Sequence, residues 1–388
     1  MALINKLENI GDAIRAKTGK TDLLTLDEMV TEIASIETGG GEEIPNEAFA
    51  FTGNVSDMLC RNQWQYFVEN YADRFTFNDI TAMEYLFYQS DQFVHLPFEI
   101  NLSDDDNYSF TISMPFAYCK KLKTIPTIKG KLPPPTANYT KNPSMLSMFS
   151  GCNSLEEIPY DWFNNWISEE FAEEAKKYTG ARGSMFQDCY CLRALPDISR
   201  LKTIATSSSS FYANTFRYNH CLSEITNCPV ILANTTSNVF NGTFNYCSTL
   251  KKVTFEMNED GSPVQASWSK QTIDLSNGVG YFYSSSEINK VMELTDYLKW
   301  ENIIDSDEEY TNLRDKADSW TNLERYSRYN HDSAVETINS LPDVSTGTSN
   351  IIKFKGIAGS ATDGGAINTL TEEEIAVATA KGWTVTLV

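Results

Sequence analysis

The sequence predicts an α/β repeat protein, an irregular solenoid with an N-terminal helical hairpin and an α+β C-terminal cap. Three features lead there: a phrase that recurs six times in one frame, a glycine run that separates the first helices from the body, and helix caps in the last segment. The phrase is clearest as Phe149, Cys152, Leu155, Ile158 and Pro159. It recurs as Phe116, Cys119, Leu122, Ile125 and Pro126, and as Phe186, Cys189, Leu192, Leu195 and Pro196. Looser copies fall on Phe87, Ser90, Phe93, Leu96 and Pro97; on Phe216, Asn219, Leu222, Ile225 and Thr226; and on Phe244, Cys247, Leu250, Val253 and Thr254. Successive phenylalanines are 29, 33, 37, 30 and 28 residues apart. Fixed interiors with elastic gaps are the signature of stacked coils.

From the amino end, Leu3, Leu7, Ile10 and Ile14 make a helical stripe, and Gly19 follows as a stop. Thr25 and Glu28 are spaced as a capping box for a second helix carrying Met29, Val30, Ile33 and Ile36. Two short helices cannot bury a core alone, so residues 1–36 are expected to pair as a hairpin that buries its remainder against the chain's own body or, as an attachment or oligomerisation segment, against a docking partner or copies of itself. Residues 37–43, with Gly39, Gly40 and Gly41, read as a flexible linker. Residues 44–81 are aromatic-rich, with Trp64, Tyr66, Phe67, Tyr71, Phe75 and Phe77, and suit an N-terminal cap that covers the first coil.

Within one copy, a three-residue period predicts a helical or 3₁₀ turn feeding a short extended piece. The closing proline ends the turn because it has no N–H. Each large apolar side chain buried between copies is worth roughly 1.5–3 kcal/mol. If each coil adds one strand, the result is a parallel sheet with strands about 4.8 Å apart. Repeats are expected over residues 82–256. Tyr160 to Tyr178 reads as an inserted helix with Trp162, Phe163, Trp166, Ile167 and Phe171 on one side.

Residues 257–388 change pattern. Asp260-Gly261 marks a turn, and Ile273 to Tyr283 reads as strands. Ser284 to Leu298, Thr311 to Tyr326 and Asn330 to Asp343 read as helical, and Ile351 to Gly356 as a strand. Thr371 and Glu374 form a second capping box, Gly382 ends that helix, and Trp383 to Val388 finishes as a strand.

The recurring aromatic-x-x-Cys-x-x-Leu-x-x-Ile unit resembles the leucine-rich repeats of the BspA-like, Treponema-type family over about Ala82 to Phe255. That resemblance implies an irregular leucine-rich-repeat solenoid. Leu3-Ile-Asn-Lys-Leu, Ile14-Arg-Ala-Lys-Thr-Gly-Lys-Thr and Thr25-Leu-Asp-Glu-Met resemble the amino-terminal segment of tail and other virion proteins from phages of Gram-positive hosts. Leu370-Thr-Glu-Glu-Glu-Ile and Thr379-Ala-Lys-Gly-Trp-Thr-Val resemble the module that follows BspA-like repeats in phage-encoded proteins. Together they imply a virion protein, of the tail fibre or tail tip first, with a head fibre or capsid decoration protein as the alternative. It would be made in the host cytoplasm, attached to other virion proteins through the first helices, and likewise homo-oligomeric. Its solenoid surface would meet a host-surface glycan or protein. A bacterial surface adhesin is the alternative from another class, and it fits less well because Met1 to Glu8 has no signal-peptide shape.

A net charge of −21 repels nucleic acid and anionic membranes, and no apolar run approaches the roughly 20 residues that span a bilayer. No nucleic acid and no membrane insertion are therefore expected. The eight cysteines, four in one repeat slot, read as reduced core residues before disulfides or metal ligands. Cys189-x-Cys191 and His220-Cys221 lack the paired spacing of zinc knuckles. Asn101 to Asn107 lacks the glycine and glutamate of a calcium loop, and Lys17-Thr-Gly-Lys-Thr lacks the earlier glycine of a phosphate loop. His95, His220 and His331 read as packing or surface histidines. No catalytic, cofactor-binding or metal-ligating residue is assigned, no cofactor is expected, and the expected role is recognition rather than catalysis. Exposed Tyr, Trp, Asn and Ser on repeat loops would serve it.

Overall fold

A computed structural model describes residues 46–91, 93–96, 98–104, 110–132, 145–175, 183–201, 212–230, 238–279, 329–356 and 369–388, with 11, 12, 14, 15, 28 and 29. The predicted box at Thr25, the glycine linker, and the helices over 284–298 and 311–326 lie outside the described residues. In the first segment Ile14 and Met29 are buried, and a Cβ on Gly11 would sit 3.0 Å from the Met29 methyl.

Four parallel strands form the first sheet in chain order: β1 (Ala50–Asn54), β2 (Thr76–Ala82), β3 (Glu99–Leu102) and β4 (Thr127–Lys129). Register aligns Phe51 with Phe77, Phe77 with Ile100, and Ile100 with Ile128. All four are buried, so one apolar row crosses the sheet from the expected cap into the expected repeats without a break. Helix α1 (Gln65–Tyr71) lies between β1 and β2 and buries Phe67 and Val68, while Tyr66 and Tyr71 are partly buried.

The six copies stack on one another in chain order. Every residue at offsets 0, 3, 6 and 9 is buried except Leu195, which is partly so. The phenylalanine rings form a ladder with centroids 5.6 Å (Phe87–Phe116), 5.4 Å (Phe116–Phe149), 5.7 Å (Phe149–Phe186), 6.0 Å (Phe186–Phe216) and 5.9 Å (Phe216–Phe244) apart.

The backbone around each ring differs from the predicted helical turn. Bonds from i to i+3 are present: Cys152 N donates to Phe149 O and Ser150 N to Ser147 O. The residues two before and two after each phenylalanine, however, have positive φ. Examples are Tyr85 (55°) and Gln89 (58°), Ser147 (51°) and Gly151 (76°), and Ser184 (55°) and Asp188 (59°). Left-handed residues break a helix, and each costs a non-glycine residue roughly 1–2 kcal/mol. The alternation turns every second N–H toward the next copy. Phe87 N donates to Pro115 O (2.8 Å), Phe149 N to Met185 O (2.8 Å), and Phe216 N to Thr243 O (3.0 Å). The N–H groups at offsets −2 and +2 do the same, as in Ser184 to Ala213 O and Asp188 to Arg217 O. The intervening N–H groups at offsets +1 and +3 close turns within their own copy.

The small residue at offset 3 is a donor. Cys119 Sγ donates to Phe87 O (2.8 Å), Cys152 to Phe116 O (3.0 Å), Cys189 to Phe149 O (3.1 Å) and Cys247 to Phe216 O (3.0 Å). Ser90 Oγ donates to Leu59 O (2.6 Å) and Asn219 Nδ2 to Phe186 O (2.8 Å). Cys, Ser and Asn interchange here because each is compact and carries a donor that reaches the preceding copy. Leu59 thereby occupies a phenylalanine slot one coil earlier. Asp57 (60°) and Arg61 (54°) flank it, and Leu59 N donates to Leu86 O.

The strands do not form one continuous sheet. A second parallel pair, β5 (Glu224–Cys228) and β6 (Lys252–Phe255), is separate from the first sheet. Among the described residues, the coils of Phe149 and Phe186 carry no strand. After Pro159 the chain runs through turns and then α2 (Glu169–Ala175), which is shorter than the predicted helix. Trp162, Phe163, Trp166 and Ile167 are buried within the turns. Trp162 Nε1 donates to Pro126 O (2.8 Å), and Leu132 N donates to Trp166 O (2.9 Å), so this segment takes the place beside β4.

Helix α3 (His331–Ser340) closes the second pair. Its stripe of Ser333, Thr337 and Ser340 meets the edge of β6: Ser333 Oγ donates to Lys251 O, Thr337 Oγ1 to Val253 O, and Phe255 N to Ser340 Oγ. A strand edge that would template further pairing is thus occupied by hydroxyls. Beyond it, β7 (Thr272–Leu275), β8 (Asn350–Phe354) and β9 (Trp383–Leu387) form a parallel sheet, with α4 (Glu372–Ala380) between β8 and β9. Parallel strands need such crossovers, and α4 supplies the one from β8 to β9. Thr371 and Glu374 make the predicted reciprocal cap, and Gly382 turns with φ 84°. Lys381 Nζ donates to the α3 carbonyls of Ile338 (3.0 Å) and Asn339 (2.6 Å), placing a cation at that helix's negative end.

Candidate contact surface

The positive-φ residue at offset 2 carries its side chain away from the interior. In three copies it is a tyrosine: Tyr118, Tyr218 and Tyr246. Tyr118 is 42% exposed and lies against Gly151, where an added Cβ would come within 2.6 Å of its ring. With Tyr85 and Tyr88 it forms an edge-to-face group (5.4 and 5.7 Å), and the Arg61 guanidinium stands 6.0 Å from the Tyr88 ring.

A second group lies further along the same side. Tyr218 and Tyr246 stack at 4.6 Å and 5°. Arg217 stands over both, 4.8 Å from Tyr218 and 5.8 Å from Tyr246. Such cation–π contacts are worth about 0.5–1 kcal/mol when exposed. Tyr190 adjoins His220 at 5.3 Å, and burial, with Asp188 adding to it, pushes its phenol up to about 12. At neutral pH that hydroxyl therefore stays protonated and both donates and accepts. The turn side thus presents flat apolar rings, hydroxyls and arginine.

The histidines sit on different elements. His95 is exposed, with Nδ1 3.1 Å from Thr124 Oγ1. His220 is buried, with Nδ1 2.9 Å from Ser248 Oγ. His331 opens α3 and bonds to Asp332 and Glu374, both at 3.1 Å. All eight cysteines are buried with free thiols. Burial pushes the thiols of Cys119, Cys191 and Cys247 up to about 12, which keeps them in the weakly nucleophilic protonated form. Of the expected acidic loop, Asn101 and Leu102 belong to β3 and residues 105–109 lie outside the described residues. The Lys17 stretch lies outside them as well. Among the described residues there is no cluster of three or more His, Cys, Asp or Glu able to hold a metal, and no helix is long and apolar enough to cross a membrane.

One expectation is corrected here. Among the described residues tryptophan does not serve the exposed face: Trp64, Trp162, Trp166, Trp268 and Trp383 are buried, and the exposed aromatics are tyrosines. The sequence held a signal for them, since Tyr118, Tyr218 and Tyr246 share one offset in the repeat frame. Comparison with protein-family models, curated proteins and solved structures finds no match for this chain.

Proposed function

We propose that this chain is a structural component of a bacteriophage particle, placed at a tail fibre or tail tip, and that it works by contact rather than catalysis. In this reading the stacked coils are a leucine-rich-repeat solenoid, and the first helices attach it to other virion proteins or to copies of itself. The observation that carries the contact role is the row of tyrosines and Arg217 along the turn side, mounted on a backbone tied from coil to coil. Tyrosine combines a large apolar surface with a polar tip and only two side-chain torsions, which suits recognition of a host-surface or neighbouring molecule. The likeness of both chain ends to phage proteins supports the particle setting.

Mass spectrometry of purified particles, produced from a genome encoding the chain, tests the setting. The expected result is its presence at constant stoichiometry, with antibody label at the tail. Label on the capsid would move it to a head fibre, and absence from particles would overturn the proposal.

A further inference from the structure

On the strand side the coils are tied at offset 7. Lys123 N donates to Val94 O, Arg193 N to Glu156 O, and Lys251 N to Ser223 O, all between 2.8 and 3.1 Å. Between the second and third of these ties, where the strands are interrupted, a cleft of about 310 Å³ opens. Tyr160, Arg193, Pro196, Asp197, Glu224 and Asn227 line it. Tyr160 is 70% exposed, so its ring lies open to solvent without a role in the core.

The polar rim is held in place. Asn164 Nδ2 donates to Asp197 Oδ2 and Ser199 N to Asp197 Oδ1, both at 2.9 Å. Burial opposes the charge on Asp197, but these bonds hold its carboxyl below the usual carboxylate value. Arg193 shares Glu156 with Lys123, at 3.9 and 3.0 Å, so of the cleft's charges one cation faces two carboxylates. The carboxylates of Asp197 and Glu224 then leave the rim leaning negative, which disfavours anions.

We propose that this cleft binds one neutral sugar unit, with the Tyr160 ring under the apolar face of the pyranose and the rim groups bonded to its hydroxyls. The volume is at the small end of ligand pockets, and one exposed ring among several polar groups is what such a ligand needs. A peptide added as a strand to β5 is the competing occupant, and the backbone argues against it. Asn227 has φ 54°, which breaks the extended edge such a peptide would pair with. The inference stands on the cleft alone and does not depend on where the protein resides.

Saturation-transfer NMR on the full chain, with the methyl glycosides of glucose, galactose and N-acetylglucosamine as probes, tests it. At least one should bind, Tyr160→Ala and Glu224→Ala should each weaken it by about tenfold, and the melting temperature should stay unchanged. Both side chains are exposed, so loss of fold is not a competing explanation. Failure of all three probes, binding that both variants leave intact, or capture of extended peptides with no response to sugars would overturn the proposal, whatever the particle experiment shows.

Discussion

At the scale of single residues, the backbone carbonyl of the stacked phenylalanine decides which side chain may sit at offset 3. Phe116 O takes two donors, Cys119 N from its own copy and Cys152 Sγ from the next. A substitution there is therefore judged by its donor before its hydrophobicity. Cys152→Ser should retain the bond, as Ser90 does, and cost about 1 kcal/mol or less. Cys152→Val is more hydrophobic but removes the donor and adds bulk to a fully buried site, and should cost about 2 kcal/mol. Urea unfolding of the two variants checks the order, and equal stability would contradict the donor assignment. The phenylalanine and cysteine slots were legible because they repeat in one frame. The left-handed residues beside them were not, since glycine, which would have signalled the turn, stands only at Gly151 and Gly242, and Tyr, Ser, Met, Gln, Asn and Asp fill the other positions. Leu59 escaped for a related reason: its coil has the same backbone with leucine in the aromatic slot.

Among elements, the best-read pieces carry their own punctuation. Thr371, Glu374 and Gly382 bound α4 within a few residues, and the cap itself is made by neighbours three residues apart. Strand continuity was harder to read. An interval of 37 residues announced an insertion, but only the packing of Trp162 against Pro126 shows that it displaces a strand. The hydroxyl stripe of α3 looked like ordinary polar helix and becomes intelligible only against β6.

The junction of α3 and α4 makes a pH prediction. Bonds to Asp332 and then Glu374, against a burial that works the other way, raise His331 above its ordinary 6.5. A raised histidine stabilises the fold below its unfolded value, and that contribution is lost as pH rises through the folded value. Glu374, lowered below its ordinary 4.5 chiefly by the Thr371 N–H, acts in the opposite direction as pH falls. The C-terminal module should thus be most stable between these ordinary values. Raising the pH from 6 to 8.5 should remove roughly 0.5 kcal/mol, the scale of an exposed ion pair. Thermal unfolding across that range should show this decline, and His331→Gln should flatten it.

For the molecule as a whole, the central claim is that neighbouring coils complete one another. Each supplies the ring, carbonyl and donor that the next one lacks, so the segments around the phenylalanines are as firmly held as strands although their backbone consists of turns. This is also why the body needs covers: Asn46–Phe49 ahead of β1 at one end, and α3 with the last sheet at the other. Hydrogen exchange measured by mass spectrometry or NMR addresses the claim most directly. The amides of Phe87, Phe116, Phe149, Phe186 and Phe216 should exchange as slowly as those of β2 and β8, because each is bonded to the following coil. Rapid exchange at these five amides, of the kind surface turns show, would contradict it.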